Sequence, residues 1–472
     1  IYTRSQLKEN SAPDIGMHYL NKVQQRAVNK VLRARDVAVV HGPPGTGKTT
    51  TLVEAIHETL RRESQVMVCA QSNMAVDWIC EKLTERGIAV IRLGNPSRVN
   101  DAMLASTYER RFEAHPDYPT LWSIRRDIRR IQSSREHGER RHQKIDRLRS
   151  RAVELELRIK ADIFASARVI ASTLVGSASP VLEGMRFNTL FVDEAAQALE
   201  AATLIALRRA DRLVLAGDHC QLPPMVRSVE AAAGGLSRSM MEVVVENHPE
   251  AVTLLTMQYR MNADIMRFSS EWFYGGAMTA AREVAFRGIL DYDVAIEWID
   301  TATLPSPSDD DDNGVTDTEA FAEQIAGESH GRINRDEAEL TLRLLEEYFL
   351  RIGTTRIREE QLDVGIISPY RAQTRLLRRM LSRSRFFKPF RSRISVNTVD
   401  GFQGQERDII MISLVRSNSG GNIGFLRDLR RMNVAMTRAR MKLIIVGNAP
   451  TLGATPFYRR LQSYIASLHS SD

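Results

Sequence analysis

Cysteine, long apolar runs and internal repeats are scarce or absent in this chain, and each shortage removes a class of answer. Three cysteines in 472 residues, Cys69, Cys80 and Cys220, are odd in number and form no CxxC pair. That excludes a disulfide scaffold or a zinc knuckle and fits a reducing intracellular compartment, cytoplasmic or nuclear. No apolar run approaches the roughly 20 residues that span a bilayer, so no membrane partner is expected. Apolar runs such as 37–40 and 443–446 have the length of buried strands. No fixed period marks a fibrous or solenoid chain, and a hydrophobic content of 43% excludes disorder throughout. The chain opens on Ile1 instead of Met, so residue 1 is not expected to be the native start. What remains is a globular protein of about two to four domains. Its net charge is +7, from 65 Lys+Arg against 58 Asp+Glu.

Short β-branched runs alternate with helical patterns, which indicates parallel α/β architecture. Strands are expected at 37–41, 65–70, 169–172, 189–192 and 212–216, then at 295–299, 364–368, 394–396, 409–414 and 442–446. Two α/β domains in tandem follow, 1–250 and 251–472, with the joint near 245–260. Two segments interrupt the alternation. Across about 100–162, Leu121, Ile124, Ile128 and Ile131 recur at helical spacing, as do Ile145, Leu148, Ala152, Leu155 and Ile159. Ser133, Ser134 and Gly138 lie between the two sets, so an antiparallel helical hairpin is expected, with one kinked helix as the alternative. Residues 305–319, holding Asp309 to Asp312 in a row, predict a mobile, solvated acidic loop.

The chemistry begins at Gly42-Pro43-Pro44-Gly45-Thr46-Gly47-Lys48-Thr49, which fits G-x-x-x-x-G-K-[ST] between an expected strand and an expected helix. Gly42, Gly45 and Gly47 let backbone amides, with that of Thr46, turn inward around phosphate oxygens at a helix N-terminus. Lys48 would reach the β- and γ-phosphates of ATP, and the Thr49 hydroxyl would ligate Mg²⁺. Asp193 and Glu194 end the apolar run before them. Asp193 suits the magnesium and Glu194 the activation of a water, the alternative being an acidic pair that caps the next helix. In the second half, Arg260 and Arg438 are candidate arginine fingers, although either alone reads first as a surface or ion-pair residue.

Taken in order, these residues and others resemble the superfamily 1B helicases of the nonsense-mediated-decay helicase and senataxin type. Leu20-Asn21-Lys22-Val23-Gln24 is similar to the Q motif, Ala70 to Asp77 to motif Ia, and Asp193 to Gln197 to motif II. Gly217 to Pro224 resembles motif III. Further on, Gln258-Tyr259-Arg260-Met261 and Ser368-Pro369-Tyr370 resemble motif IV elements, Thr398 to Glu406 motif V, and Asn433 to Arg440 motif VI. The resemblance implies an α/β fold of two tandem RecA-like P-loop domains, with the helical hairpin as subdomain 1C of the first. It implies that Gln24 bonds the adenine, that Tyr259 stacks on it and that Glu406 accepts from the ribose. It also implies that Gln221 reports the γ-phosphate and that Arg260 and Arg438 serve as paired fingers. For a single strand of DNA or RNA it implies Ser72, Asn73, Ser172, Thr173, Pro369, Tyr370 and Thr398, small polar groups for the most part, suited to phosphate and sugar. The implied activity is ATP-dependent translocation, 5′ to 3′, by a monomer that hydrolyses ATP between its two domains. The family's β-barrel subdomain 1B is expected upstream of residue 1 or missing, since only 19 residues precede Leu20.

An ATP-switched clamp on nucleic acid or ribonucleoprotein, without processive unwinding, is the alternative. Glu194 and the two arginines argue for turnover instead. The charge sharpens the expectation. Residues 125–151 carry eleven Arg/Lys against four Asp/Glu, and residues 371–393 carry nine Arg/Lys and no acid. Each basic stretch is expected beside strand-binding motifs, where it would bind the phosphate backbone; read alone, each is a solvated helix face.

Overall fold

The β-branched runs form two separate parallel sheets in the computed structural model, which describes residues 1–3, 6–11, 13–133, 139–305, 320–326 and 331–469. The chain divides into two units. The first is Ile1–Gly42, Gly47–His219 and Pro223–Leu255; the second is Pro43–Thr46, Cys220–Leu222 and Thr256–Asp472.

In the first unit, β1 (Val37–His41), β2 (Val66–Ala70), β3 (Val90–Arg92), β4 (Val169–Thr173), β5 (Phe187–Asp193), β6 (Ala210–Gly217) and β7 (Val252–Leu254) form one sheet in the order β3-β4-β2-β5-β6-β1-β7. Every pairing is parallel. Alternate side chains enter two cores: Val37, Val39, Met67 and Cys69 on one face, Ala38, Val40, Val66 and Val68 on the other. Both faces are covered, so these strands read as continuous apolar runs. β3 and β7 are only three residues long and were not expected from the sequence. Because β7 pairs with β1, the first unit's sheet extends past residue 250.

Three helices frame the C-terminal strand ends: α1 (Lys22–Arg33), α2 (Lys48–Leu60) and α3 (Asn73–Glu85). The inserted segment contains α4 (Tyr118–Ser133) and α5 (Glu139–Ala165). Arg125 pairs with Glu156 at 2.7 Å, Arg158 with Asp117 at 2.6 Å, and Arg141 donates to the Ile131 carbonyl at 3.2 Å. Those contacts run in opposite chain directions, so the two helices are an antiparallel hairpin and not one kinked helix. Its turn, 134–138, lies outside the described residues. Leu121, Ile124, Ala152, Leu155 and Ile159 join the core that also holds Ile170 of β4, which is why these positions recur at helical spacing.

In the second unit, β8 (Ile296–Asp300), β9 (Val364–Ile367), β10 (Ile394–Asn397), β11 (Arg407–Ser413) and β12 (Ala439–Gly447) form a parallel sheet in the order β8-β12-β11-β9-β10. Helices α6 (Arg335–Ile352), α7 (Arg371–Arg383) and α8 (Leu429–Met436) accompany it. Two small pairings were also not expected, Gln324–Ala326 with Gly331–Ile333 and Met257–Gln258 with Thr279–Ala280. The acidic run from 306 to 319 lies outside the described residues.

Candidate functional site

β1 delivers the chain to a glycine-rich turn, and α2 begins at Lys48. Gly45 and Gly47 hold φ of +76° and +74°, a region that glycine enters without the penalty a Cβ brings. A Cβ at Gly42 would meet the Lys48 Cβ at 2.6 Å, and one at Gly47 would meet the Gln24 Nε2 at 2.5 Å. The first glycine therefore lets the lysine stem pass, and the second lets the Gln24 amide lie on the loop. Gln24 is fixed there by local chemistry: as the third residue of α1 it accepts from the Asn21 amide at 3.0 Å, closing a capping box. The Thr46 hydroxyl donates to the Pro43 carbonyl at 2.7 Å.

β5 carries the acidic pair to the same end of the sheet. Lys48 Nζ lies 2.6 Å from Asp193 Oδ1 and 2.7 Å from Glu194 Oε1. Burial alone would lower the lysine, but the two carboxylates outweigh it and hold its ammonium above the ordinary range. Glu194 has φ +50°, a left-handed backbone that costs a non-glycine residue about 1–3 kcal/mol and tends to mark functional sites. Its second oxygen accepts from Gln197 at 3.0 Å, and its side chain stays 38% exposed against 3% for Asp193. Thr49, next after Lys48, adds a hydroxyl. A hydroxyl and a carboxylate are hard oxygen donors of the kind Mg²⁺ takes, so the residues present fit a magnesium nucleotide.

In the second unit the arginines are engaged. Arg260 Nε contacts Glu406 Oε2 at 2.5 Å and its Nη1 donates to the Thr437 carbonyl at 3.1 Å. Glu406 also faces Arg440 at 3.6 Å. Arg438 is buried and donates to the carbonyls of Val434 and Gln405, at 3.0 and 3.2 Å, and to Gln221 Oε1 at 3.4 Å. Tyr259 is part-exposed, and its amide donates to the Gly45 carbonyl at 2.8 Å.

Within each unit, the expected strand-binding residues lie at the carboxyl ends of neighbouring strands, the edge where open parallel sheets take ligands. Ala70 of β2 is in register with Thr173 of β4, which brings Ser72 and Asn73 beside Ser172 and Thr173. Ile367 of β9 is in register with Asn397 of β10, which brings Pro369 and Tyr370 beside Thr398. Ser72 is exposed and caps α3, accepting from Ala75 at 3.1 Å. Two of the expected contacts point inward instead. Ser172 is fully buried, its hydroxyl donating to the Thr173 carbonyl at 2.9 Å. Tyr370 is 3% exposed, its hydroxyl accepting from Arg416 at 3.3 Å and its ring 5.5 Å from that of Phe425. Hydroxyl side chains serve a core bond as readily as a ligand, so the sequence did not separate the two. It also missed Arg92, a buried cation on β3 that holds Asn73, and the exposed aromatics Trp78 and Phe425. An arginine inside the apolar stretch 88–93 gives no signal of its partners. Burial pushes the thiols of Cys69 and Cys80 up to about 12, which leaves both inert. No helix among the described residues is long and apolar enough to cross a membrane.

Two family domains, each described as an AAA domain, match residues 19–229 and 236–450. DNA-binding protein SMUBP-2 of Mesocricetus auratus is 34% identical over 466 residues, covering 94% of this chain and 44% of that protein. An uncharacterized ATP-dependent helicase of Methanocaldococcus jannaschii is 31% identical over 498 residues, covering 95% of this chain and 71% of that protein. A Neurospora crassa homolog of regulator of nonsense transcripts 1 is 32% identical over 441 residues, covering 93% of this chain and 38% of that protein. The chain thus spans less than half the length of the first and third of these relatives.

Proposed function

Because the chain belongs to the superfamily 1B helicases, we propose that it hydrolyses ATP, with Mg²⁺, to move on single-stranded DNA or RNA in the 5′ to 3′ direction. The observation that carries this reading is the clamp of Lys48 on Asp193 and Glu194, with Glu194 held in a strained backbone.

The clamp explains how hydrolysis waits for its substrate. Lys48 Nζ would exchange its bonds to the two carboxylates for oxygens of the β- and γ-phosphates, while the loop amides take the remaining oxygens. Thr49 and Asp193 would hold Mg²⁺, which when bound draws charge from the β- and γ-phosphate oxygens. Released from the lysine, Glu194 orients a water and accepts its proton at a carboxylate oxygen as the water oxygen attacks the γ-phosphorus, while the bond from that phosphorus to the β–γ bridging oxygen breaks and ADP leaves. Arg260 and Arg438 supply positive charge to the γ-phosphoryl, and Gln221 reports its presence. Gln24 bonds the adenine, Tyr259 stacks on it and Glu406 accepts from the ribose. Ser72, Asn73 and Thr173 in the first unit, and Pro369 and Thr398 in the second, meet the sugar-phosphate chain, with Ser172 and Tyr370 buried at their respective strand ends. The protein acts as a monomer.

The test is ATP hydrolysis with and without matched single-stranded DNA and RNA across a salt titration. Strand should raise the rate, and salt should erase the gain. A rate indifferent to either strand overturns the translocase reading and leaves an ATP-switched clamp.

A further inference from the structure

Arg92 closes β3 and is among the most completely buried side chains of the chain, at 0% exposure. Its Nε donates to Asp77 Oδ1 at 2.8 Å, its Nη2 to Asn73 Oδ1 at 2.8 Å, and its Nη1 to the Leu93 carbonyl. Asp77 is buried too, and its other oxygen accepts from the Asn100 amide at 2.9 Å. Asn73 and Asp77 lie four residues apart on α3, hence on one face. The guanidinium fork therefore spans the first turn of the helix that Ser72 caps.

A buried ion pair is a poor device for stability alone. Desolvating two charges costs several kcal/mol each, and apolar residues of like volume often serve as well. The backbone nevertheless makes room for this one: Gly94, at φ +146°, is where a Cβ would come within 3.0 Å of Arg92 Nη1. What the arrangement does achieve is orientation. Arginine has donors only, so the Asn73 oxygen must face it, and the Asn73 NH₂ must then face away. Asn73 is part-exposed, and an outward NH₂ donates to a phosphate oxygen where an outward carbonyl would repel it. β3 also binds β4 through the Leu93 amide and the Ala171 carbonyl at 2.7 Å, directly before Ser172 and Thr173.

We propose that Arg92 is a positioning residue for nucleic-acid binding: it locks the Asn73 amide donor-outward at the strand-binding edge of the first unit. The inference rests on the helicase reading above. Lysine cannot take its place, because one ammonium does not bridge Asp77 and Asn73 in the fixed geometry of a guanidinium.

The experiment titrates a single-stranded oligonucleotide into the ATPase assay and reads the half-stimulating concentration and the maximal rate. Arg92→Lys should raise the half-stimulating concentration about tenfold, the scale of one hydrogen bond to a charged group, with the maximal rate within about twofold. Asn73→Ala should raise it similarly, and the double variant no further than either change alone. Asn73→Asp keeps an acceptor for Arg92 and removes the donor, so it should raise the concentration while the melting temperature holds, even if Arg92→Lys proves unstable. Shifts that multiply in the double variant, an unmoved half-stimulating concentration in Asn73→Asp, or an Arg92→Lys protein that loses only maximal rate would each overturn the proposal. Wild-type protein that no strand stimulates would instead overturn the helicase reading itself.

Discussion

Each unit ends a central strand in a backbone that a side chain resists, and the two units use it differently. In the first, Glu194 directly follows β5 at φ +50°; in the second, Val415 comes two residues after β11 at φ +70°. Glu194 is part-exposed and faces Lys48. Val415 is fully buried, and its amide donates at 2.7 Å to Glu337 Oε1 on α6, an oxygen that also accepts from the Ser413 hydroxyl at 2.6 Å. Burial pushes the Glu337 acid up to about 7, against the lowering pull of Ser413 and of the Val415 and Leu414 amides. Past Val415 the chain reaches Arg416, which pairs with Glu323 at 2.8 Å and contacts Tyr370. Similar strain thus sets a part-exposed carboxylate against Lys48 in one unit and turns the chain beneath a buried one in the other. Strain at a strand end marks a candidate site only where the side chain it carries stays within reach of solvent.

The sharpest way to break this contrast is Glu194→Gln. Turnover should fall by about 10²–10⁴, the usual worth of a general base, with nucleotide binding retained in a fluorescent-nucleotide titration; normal turnover would make Glu194 a helix cap after all. Arg438→Ala should slow hydrolysis by about 10³ or more with ADP affinity nearly intact. A fall in melting temperature alone would return Arg438 to a structural role, beside Val415.

Glu337 probes the other side. Glu337→Ala orphans the buried Val415 amide and takes the acceptor from the Ser413 hydroxyl, at about 1–3 kcal/mol for an unsatisfied buried group, measured by urea unfolding. The isosteric Glu337→Gln isolates the proton. The folded acid sits near 7 against an ordinary 4.5, so between those values the unfolded state releases a proton that the folded state keeps. Wild-type stability should therefore fall by about 3 kcal/mol as pH rises from 4.5 to 7 and then level off. Glu337→Gln should lack that fall, and parallel pH curves for the two proteins would show that Glu337 does not titrate there. The smallest effect belongs to the basic stretches. Replacing arginines of 371–393 with glutamine should flatten the salt dependence of strand binding, by about one unit of slope for each phosphate no longer neutralised. An unchanged slope would leave that stretch a solvated face.

The part of the molecule that local chemistry dictates was legible in the sequence. The glycine loop needs positive φ at Gly45 and Gly47 before Lys48, and both glycines stand there. The hairpin's spacing followed from the face it buries against Ile170. β3 and β7 were missed because three residues give too little alternation to count, and β3 ends on a charge. Arg92 reads as surface until Asp77 and Asn73 fold against it. Glu337 lies among Asp336, Glu339, Glu346 and Glu347, and only packing tells the one buried acid from the others. The inward turn of Ser172 and Tyr370 was invisible for the same reason: their partners are set by tertiary contacts, not by neighbours in the chain.

Motion along a strand is the central claim, and streptavidin displacement reads it most directly. Single strands carrying biotin at one end or the other are blocked with streptavidin and incubated with the protein and ATP. The account expects release from the 3′ end, none from the 5′ end, and none with Glu194→Gln. Strand-stimulated hydrolysis without release from either end would contradict it; release from the 5′ end would reverse the proposed direction.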